Sequence, residues 1–227
     1  MVIMGLLLVQ LLAALILLII LFFLSRFTTN QLFHFLRRIF KSDKTVFGII
    51  TLIFFPGTVI HELAHFFAAI VLFLPVKDLK VFPEWKDNYL KLGHVLYEKK
   101  DVVRGFLVGI APVFVGLFVF WAIFAWQLFP NQNFMLNIII VYLIFAVSST
   151  MFSSKQDLVD LASIPPILIF LWGFIYVFNI KVGEILAKAG ITELIISFLS
   201  QINFYLLLSI AIHVAIIIML KFFSKLK

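Results

Sequence analysis

The chain has 227 residues, 64% of them hydrophobic and only 13% charged, with a mean hydropathy of +1.18. That composition excludes an ordinary soluble globule and reads as an all-α polytopic membrane protein. The net charge of +7 sits in loops and near the C-terminal end, so a lipid bilayer and not nucleic acid is the expected partner, and the absence of cysteine rules out disulfides and thiolate metal sites.

In chain order, Val2 to Leu24 is the first apolar element, with Gln10 as its only strongly polar side chain. It lacks the basic start, short apolar run and small-residue cleavage site of a signal peptide, so a retained spanning helix is expected. Asn30 to Phe40 sets Leu32, Phe33, Leu36 and Phe40 against Arg37 and Arg38, which suits a short helix at the interface or a connector.

The second span, Val46 to Leu74, holds the most informative residues: His61-Glu62-Leu63-Ala64-His65. Ionisable groups in a membrane span are costly and by default functional. Residues four apart share a helix face, so His61 and His65 can hold one metal ion, while Glu62 reaches a water bound to it. This is the H-E-x-x-H arrangement of zinc hydrolases. If fully helical the span would be about 43 Å long against a hydrocarbon core of about 30 Å, and Pro56-Gly57 offers a kink.

Between the second and third spans, Pro75 to Arg104 carries Leu79-Lys80-Val81-Phe82 and the alternating run Tyr89 to Glu98, separated by Pro83 and Asp87-Asn88. A small β-hairpin at the membrane surface is expected there. Further spans are expected near Gly105 to Phe129, Phe134 to Phe152, Ile164 to Ile180 and Ile191 to Leu220, about six transmembrane helices in one membrane domain, 1–227. Gly109, Ala111 and Gly116 give the third span small faces for close packing, and Pro112 can kink it.

With six spans both termini and the hairpin share one face, which carries 11 Lys and Arg against 7 on the other. The positive-inside rule then makes that face cytoplasmic, in a multi-pass protein of the cell membrane.

A catalytic zinc takes three protein ligands and an open position for water. With Cys absent, the third ligand is sought among His and acids. Asp157, at the end of the fourth span, is the leading candidate: if the second and fourth spans start level, it lies 23 residues along from Phe134 and His65 19 from Val46, a height difference of about 6 Å. Asp160 is its close competitor, with His94, Glu184 and His213 behind.

The order of these parts resembles the site-2 protease family of intramembrane zinc metalloproteases, over roughly Val46 to Asp160, with 1–45 and 161–227 as accessory helices. The resemblance implies one zinc per chain on His61, His65 and Asp157, Glu62 as general base, and a site nearer the cytosol. It implies cleavage of membrane-embedded or membrane-proximal protein substrates, and the hairpin is the candidate to hold such a substrate as an added strand. The family's aspartate is usually followed by Gly, whereas Leu158 stands here, which marks a divergent branch. Two other classes fit parts of the pattern: a non-catalytic scaffold or transporter that keeps the motif, and a membrane di-iron oxygenase, which needs more histidine boxes than five His and one such pair supply.

Overall fold

The computed structural model describes residues 2–80, 84–86, 89–91, 93–98, 100–152, 164–178 and 190–225. Its elements are helices α1 (Val2–Ile39) and α2 (Asp43–Val71), strands β1 (Val76–Lys80), β2 (Glu84–Lys86), β3 (Tyr89–Lys91) and β4 (His94–Tyr97), and helices α3 (Val102–Ala125), α4 (Phe134–Thr150), α5 (Ile164–Val177) and α6 (Thr192–Lys225). Among the described residues, α1, α2, α3 and α6 are each long and apolar enough to cross a bilayer. The apolar helices α4 and α5 are shorter, at 17 and 14 residues. Four candidate spans therefore stand where about six were expected.

The separate interfacial helix expected at Asn30 to Phe40 is absent, because α1 continues unbroken to Ile39. At 38 residues it is about 57 Å long, well beyond one hydrocarbon thickness. The polar stretch at its middle does not stop it. Ser25, Thr28 and Thr29 donate their hydroxyls to the carbonyls of Phe22, Leu24 and Ser25 at 3.1, 2.8 and 2.9 Å, so these groups are satisfied within the helix.

α1 packs along α6. Asn203 Nδ2 donates to Gln10 Oε1 at 2.7 Å and to the Gln10 carbonyl at 3.0 Å. Farther along both helices, His213 Nδ1 lies 3.0 Å from Thr28 Oγ1. Contacts that advance together along both helices make the pair parallel. Six alternating spans would instead set the first and last helices antiparallel, with both chain ends on one face. The parallel pair places the first residue of α1 and the last of α6 at opposite ends.

Two prolines organise the rest. Pro56 lies inside α2 and has no N–H, so the Leu52 carbonyl four residues earlier loses its helical donor. The Tyr142 hydroxyl of α4 lies beside this gap, 3.0 Å from the Ile53 carbonyl and 3.5 Å from that of Leu52. One residue on, Gly57 lets α4 approach: any side chain there would overlap the Ala146 carbonyl. The Phe54 and Phe145 rings pack on the same seam at 5.6 Å. The deep core beside it contains Leu21, Phe120, Ile144, Tyr205 and Leu206, from α1, α3, α4 and α6.

α2 ends in a tight reversal, with Phe73 at φ 54° and Leu74 N–H bonded to the Ala69 carbonyl at 2.9 Å, and the chain enters β1 at once. β1 pairs antiparallel with β4, Lys80 opposite His94 and Val76 opposite Tyr97. β2 pairs antiparallel with β3, Lys86 opposite Tyr89. The expected hairpin is thus present, but the run Tyr89 to Glu98 is two strands and not one, interrupted ahead of His94, with Gly93 outside the ladder. Asp101 then caps α3, accepting the Arg104 N–H at 2.8 Å, and Arg104 Nη1 reaches the Leu72 carbonyl at 3.4 Å.

Two outcomes are expected. Cysteines introduced singly at Ile3 and Ser224 of this cysteine-free chain react with an impermeant thiol reagent from opposite sides of a sealed membrane. Labelling of both from one side would show that α1 and α6 do not cross it as a parallel pair. Tyr142→Phe lowers stability in detergent by about 1 kcal/mol, since the carbonyls at the Pro56 gap lose their donor; thermal unfolding reads the change.

Candidate metal centre

His61, Glu62 and His65 occupy the turn of α2 that follows Pro56 and Gly57. All three are buried, at 3%, 9% and 7% relative exposure, which removes the reading of the motif as a solvated helix face. The i, i+4 spacing stacks the two imidazoles on one side of the helix. Their rings meet edge to face with centroids 4.6 Å apart, and the two Nε2 atoms converge to 3.1 Å.

The other side of the His65 ring fixes what its Nε2 can do. His65 Nδ1 lies 2.8 Å from the backbone carbonyl of Val108 on α3. A carbonyl only accepts, so Nδ1 carries the hydrogen and the neutral ring leaves a lone pair on Nε2, aimed at His61. Two imidazole nitrogens on one tetrahedral zinc, each about 2.0 to 2.1 Å from the metal, would be about 3.3 Å apart. The observed 3.1 Å differs from that by tenths of an ångström. The donor set suits zinc in kind as well, and the carbonyl behind His65 is the partner that metal-bound histidines habitually have.

Glu62, one residue round the helix, faces a different neighbour. Gly93, just ahead of β4, passes so close that a Cβ there would lie 2.9 Å from Glu62 Cγ and 3.0 Å from the Lys80 carbonyl. The hairpin therefore sits over the glutamate, and only glycine permits that approach without displacement.

The other sequence candidates are distributed as follows. Asp157, Asp160 and Glu184 lie outside the described residues. His34 is exposed on α1. His94 Nε2 lies 3.2 Å from Asp78 Oδ2 across the hairpin. His213 is wholly buried, with Nδ1 against Thr28 Oγ1 and Nε2 3.2 Å from Ser148 Oγ, so both ring nitrogens serve the packing of α1, α4 and α6. Among the described residues no group of three His, Cys, Asp or Glu is placed to hold a metal ion. α4 ends with Thr150 against Gly57, one turn before His61.

Sequence reading missed two participants. The Val108 carbonyl carries no side-chain signature, although Pro112 four residues later signals that this carbonyl lacks a helical donor. Gly93 interrupts a strand pattern, which is the usual mark of a close backbone approach. No protein-family model, curated protein or solved structure matches the chain.

Gly93→Ala is expected to push the hairpin off α2. Amide hydrogen exchange across β1 and β4 should accelerate, and more so for Gly93→Val. Unchanged exchange in both would mean that the hairpin does not rest on Glu62.

Proposed function

We propose that this chain is an intramembrane zinc metalloprotease of the site-2 protease kind, hydrolysing peptide bonds of membrane-embedded or membrane-proximal proteins. The observation that carries the reading is the convergence of two buried Nε2 atoms at 3.1 Å, one of them held in the ligating tautomer by a backbone carbonyl, with Glu62 beside them. His61 and His65 are two ligands, and Asp157 is the third, close enough along the chain to the end of α4 beside Gly57 to close the site.

A zinc ion bound there supplies Lewis acidity, lowering the pKa of a coordinated water toward about 7 and polarising the scissile carbonyl. The remaining work belongs to the chain. Glu62 takes a proton from the attacking water as its oxygen bonds to the carbonyl carbon, and delivers that proton to the amine nitrogen as the C–N bond breaks. A substrate helix hides its peptide bonds in its own ladder, so it must be unwound locally. The β1–β4 edge, next to Gly93 and thus to Glu62, is where an extended segment is received. The hairpin side is the side from which hydrolysis is reached, and the cytoplasmic placement of that side rests on its seven Lys and Arg between Pro75 and Arg104.

Metal analysis of the purified chain is the first test, with about one zinc expected; two irons would indicate an oxygenase, and no metal a scaffold. Glu62→Gln keeps the zinc and loses hydrolysis, by at least about a hundredfold for removal of a general base. His61→Ala loses both. Asp157→Ala lowers zinc occupancy and Asp160→Ala does not; the reverse pattern would move the third ligand one turn along.

A further inference from the structure

Pro112 invites the ordinary reading of a kink in α3, but its position relative to the histidines has a sharper consequence. In an unbroken helix the N–H of residue 112 would donate to the carbonyl of Val108. Proline has no N–H, so this carbonyl is released in a place where Val108 is completely buried and water cannot serve it. The atom that takes it is His65 Nδ1, at 2.8 Å.

We propose that Pro112 is a positioning residue of the metal centre, acting through the hydrogen it lacks: it reserves the Val108 carbonyl for His65, and so fixes the hydrogen of that ring on Nδ1. With an N–H at position 112, the helix would reclaim the carbonyl. A carbonyl has two lone pairs, so the histidine would share it and not be expelled, but the shared bond is weaker and less directional. The ring then loses its bias toward Nδ1–H, and the population with a hydrogen on Nε2, pointing into the site, rises. The zinc reading enters this proposal only through the affinity measurement; the tautomer itself is a property of the metal-free chain.

The parallel case in α2 supports the logic. Pro56 releases the Leu52 carbonyl in the same way, and the Tyr142 hydroxyl of a neighbouring helix comes within 3.5 Å of it while bonding the adjacent Ile53 carbonyl at 3.0 Å. In each helix the proline creates an acceptor and the adjacent helix brings the donor. At Pro112 the donor is a candidate ligand.

The experiment separates the missing hydrogen from the ring. Pro112→Ala restores an N–H. A second variant carries lactic acid at position 112, which has the alanine side chain but joins through an ester oxygen and has no N–H. A third replaces the Val108–Gly109 amide by the ester of glycolic acid, which weakens the Val108 carbonyl as an acceptor and leaves Pro112 in place. Each is made in the full chain in detergent. The His65 ring nitrogens are observed by 15N NMR without metal, at a pH where the ring is neutral, and zinc affinity is measured separately. The expected result is Nδ1–H in the native chain and in the lactic acid variant. Pro112→Ala and the glycolic acid variant should move toward Nε2–H, with zinc affinity lowered 10- to 100-fold. If Pro112→Ala and its lactic acid counterpart behave alike, or if the tautomer is native in the glycolic acid variant, the proposal is overturned. A tautomer that moves as expected in a chain that binds no zinc upholds the positioning role and sinks the metal reading instead.

Discussion

In hydrocarbon there is no water to satisfy a backbone carbonyl, and the placement of the helices around the site follows from that constraint. Each of α2 and α3 carries a proline in its interior, and each proline leaves a carbonyl without its donor. Neighbouring helices bring donors to both places, Tyr142 of α4 to the Leu52–Ile53 carbonyls of α2 and His65 of α2 to the Val108 carbonyl of α3. These bonds fix the rotation of α2 about its axis, because its Leu52–Ile53 carbonyls must meet Tyr142 and, about three turns on, it must present His65 to Val108. The H-E-x-x-H turn is thereby aimed by backbone accounting before any metal is considered.

The hydrogen bonds alone do not hold this arrangement. Interhelical bonds in membranes contribute about 0.6 to 2 kcal/mol each, so close apolar packing must supply the rest. The absence of a side chain at Gly57 admits the Ala146 carbonyl at the α2–α4 crossing, and the Phe54–Phe145 pair packs above it. The α1–α6 pair is tied at two levels by Gln10 with Asn203 and by Thr28 with His213, and Ser148 brings α4 into the second tie. His213 is informative as a contrast. It is as buried as the motif histidines, yet both its nitrogens face hydroxyls in the core, whereas the Nε2 atoms of His61 and His65 face each other.

Much of this was legible in the sequence where a signal is local. Apolar runs gave the long helices, the alternation and turn residues gave the hairpin, and i, i+4 spacing placed His61 and His65 on one face. What a local signal does not carry is tertiary. The parallel packing of α1 and α6 depends on Gln10 finding Asn203, nearly two hundred residues away, and a count of alternating spans contains nothing about it. The interfacial break after Leu24 was expected from polarity, but Ser25, Thr28 and Thr29 bond back into their own helix and leave no reason to stop. Pro112 and Gly93 were visible as residues but not as functions, since what each does is defined by an absent atom, a hydrogen in one case and a Cβ in the other.

That last point bears on how the motif divides its labour. His65 looks toward α3 and is held by a helix that is itself packed into the core, while Glu62 looks toward the hairpin, which touches α2 through a glycine. On the zinc reading, the ligand is thus anchored to the packed core and the base borders the part that a substrate strand would have to engage. Metal binding tolerates little movement of its nitrogens, because tetrahedral geometry sets their separation to within tenths of an ångström. Proton transfer through a flexible carboxylate tolerates more, and gains from a surface that closes over it and excludes water. Residues of this one turn therefore face different neighbours, His65 the buried Val108 carbonyl of α3 and Glu62 the hairpin at Gly93.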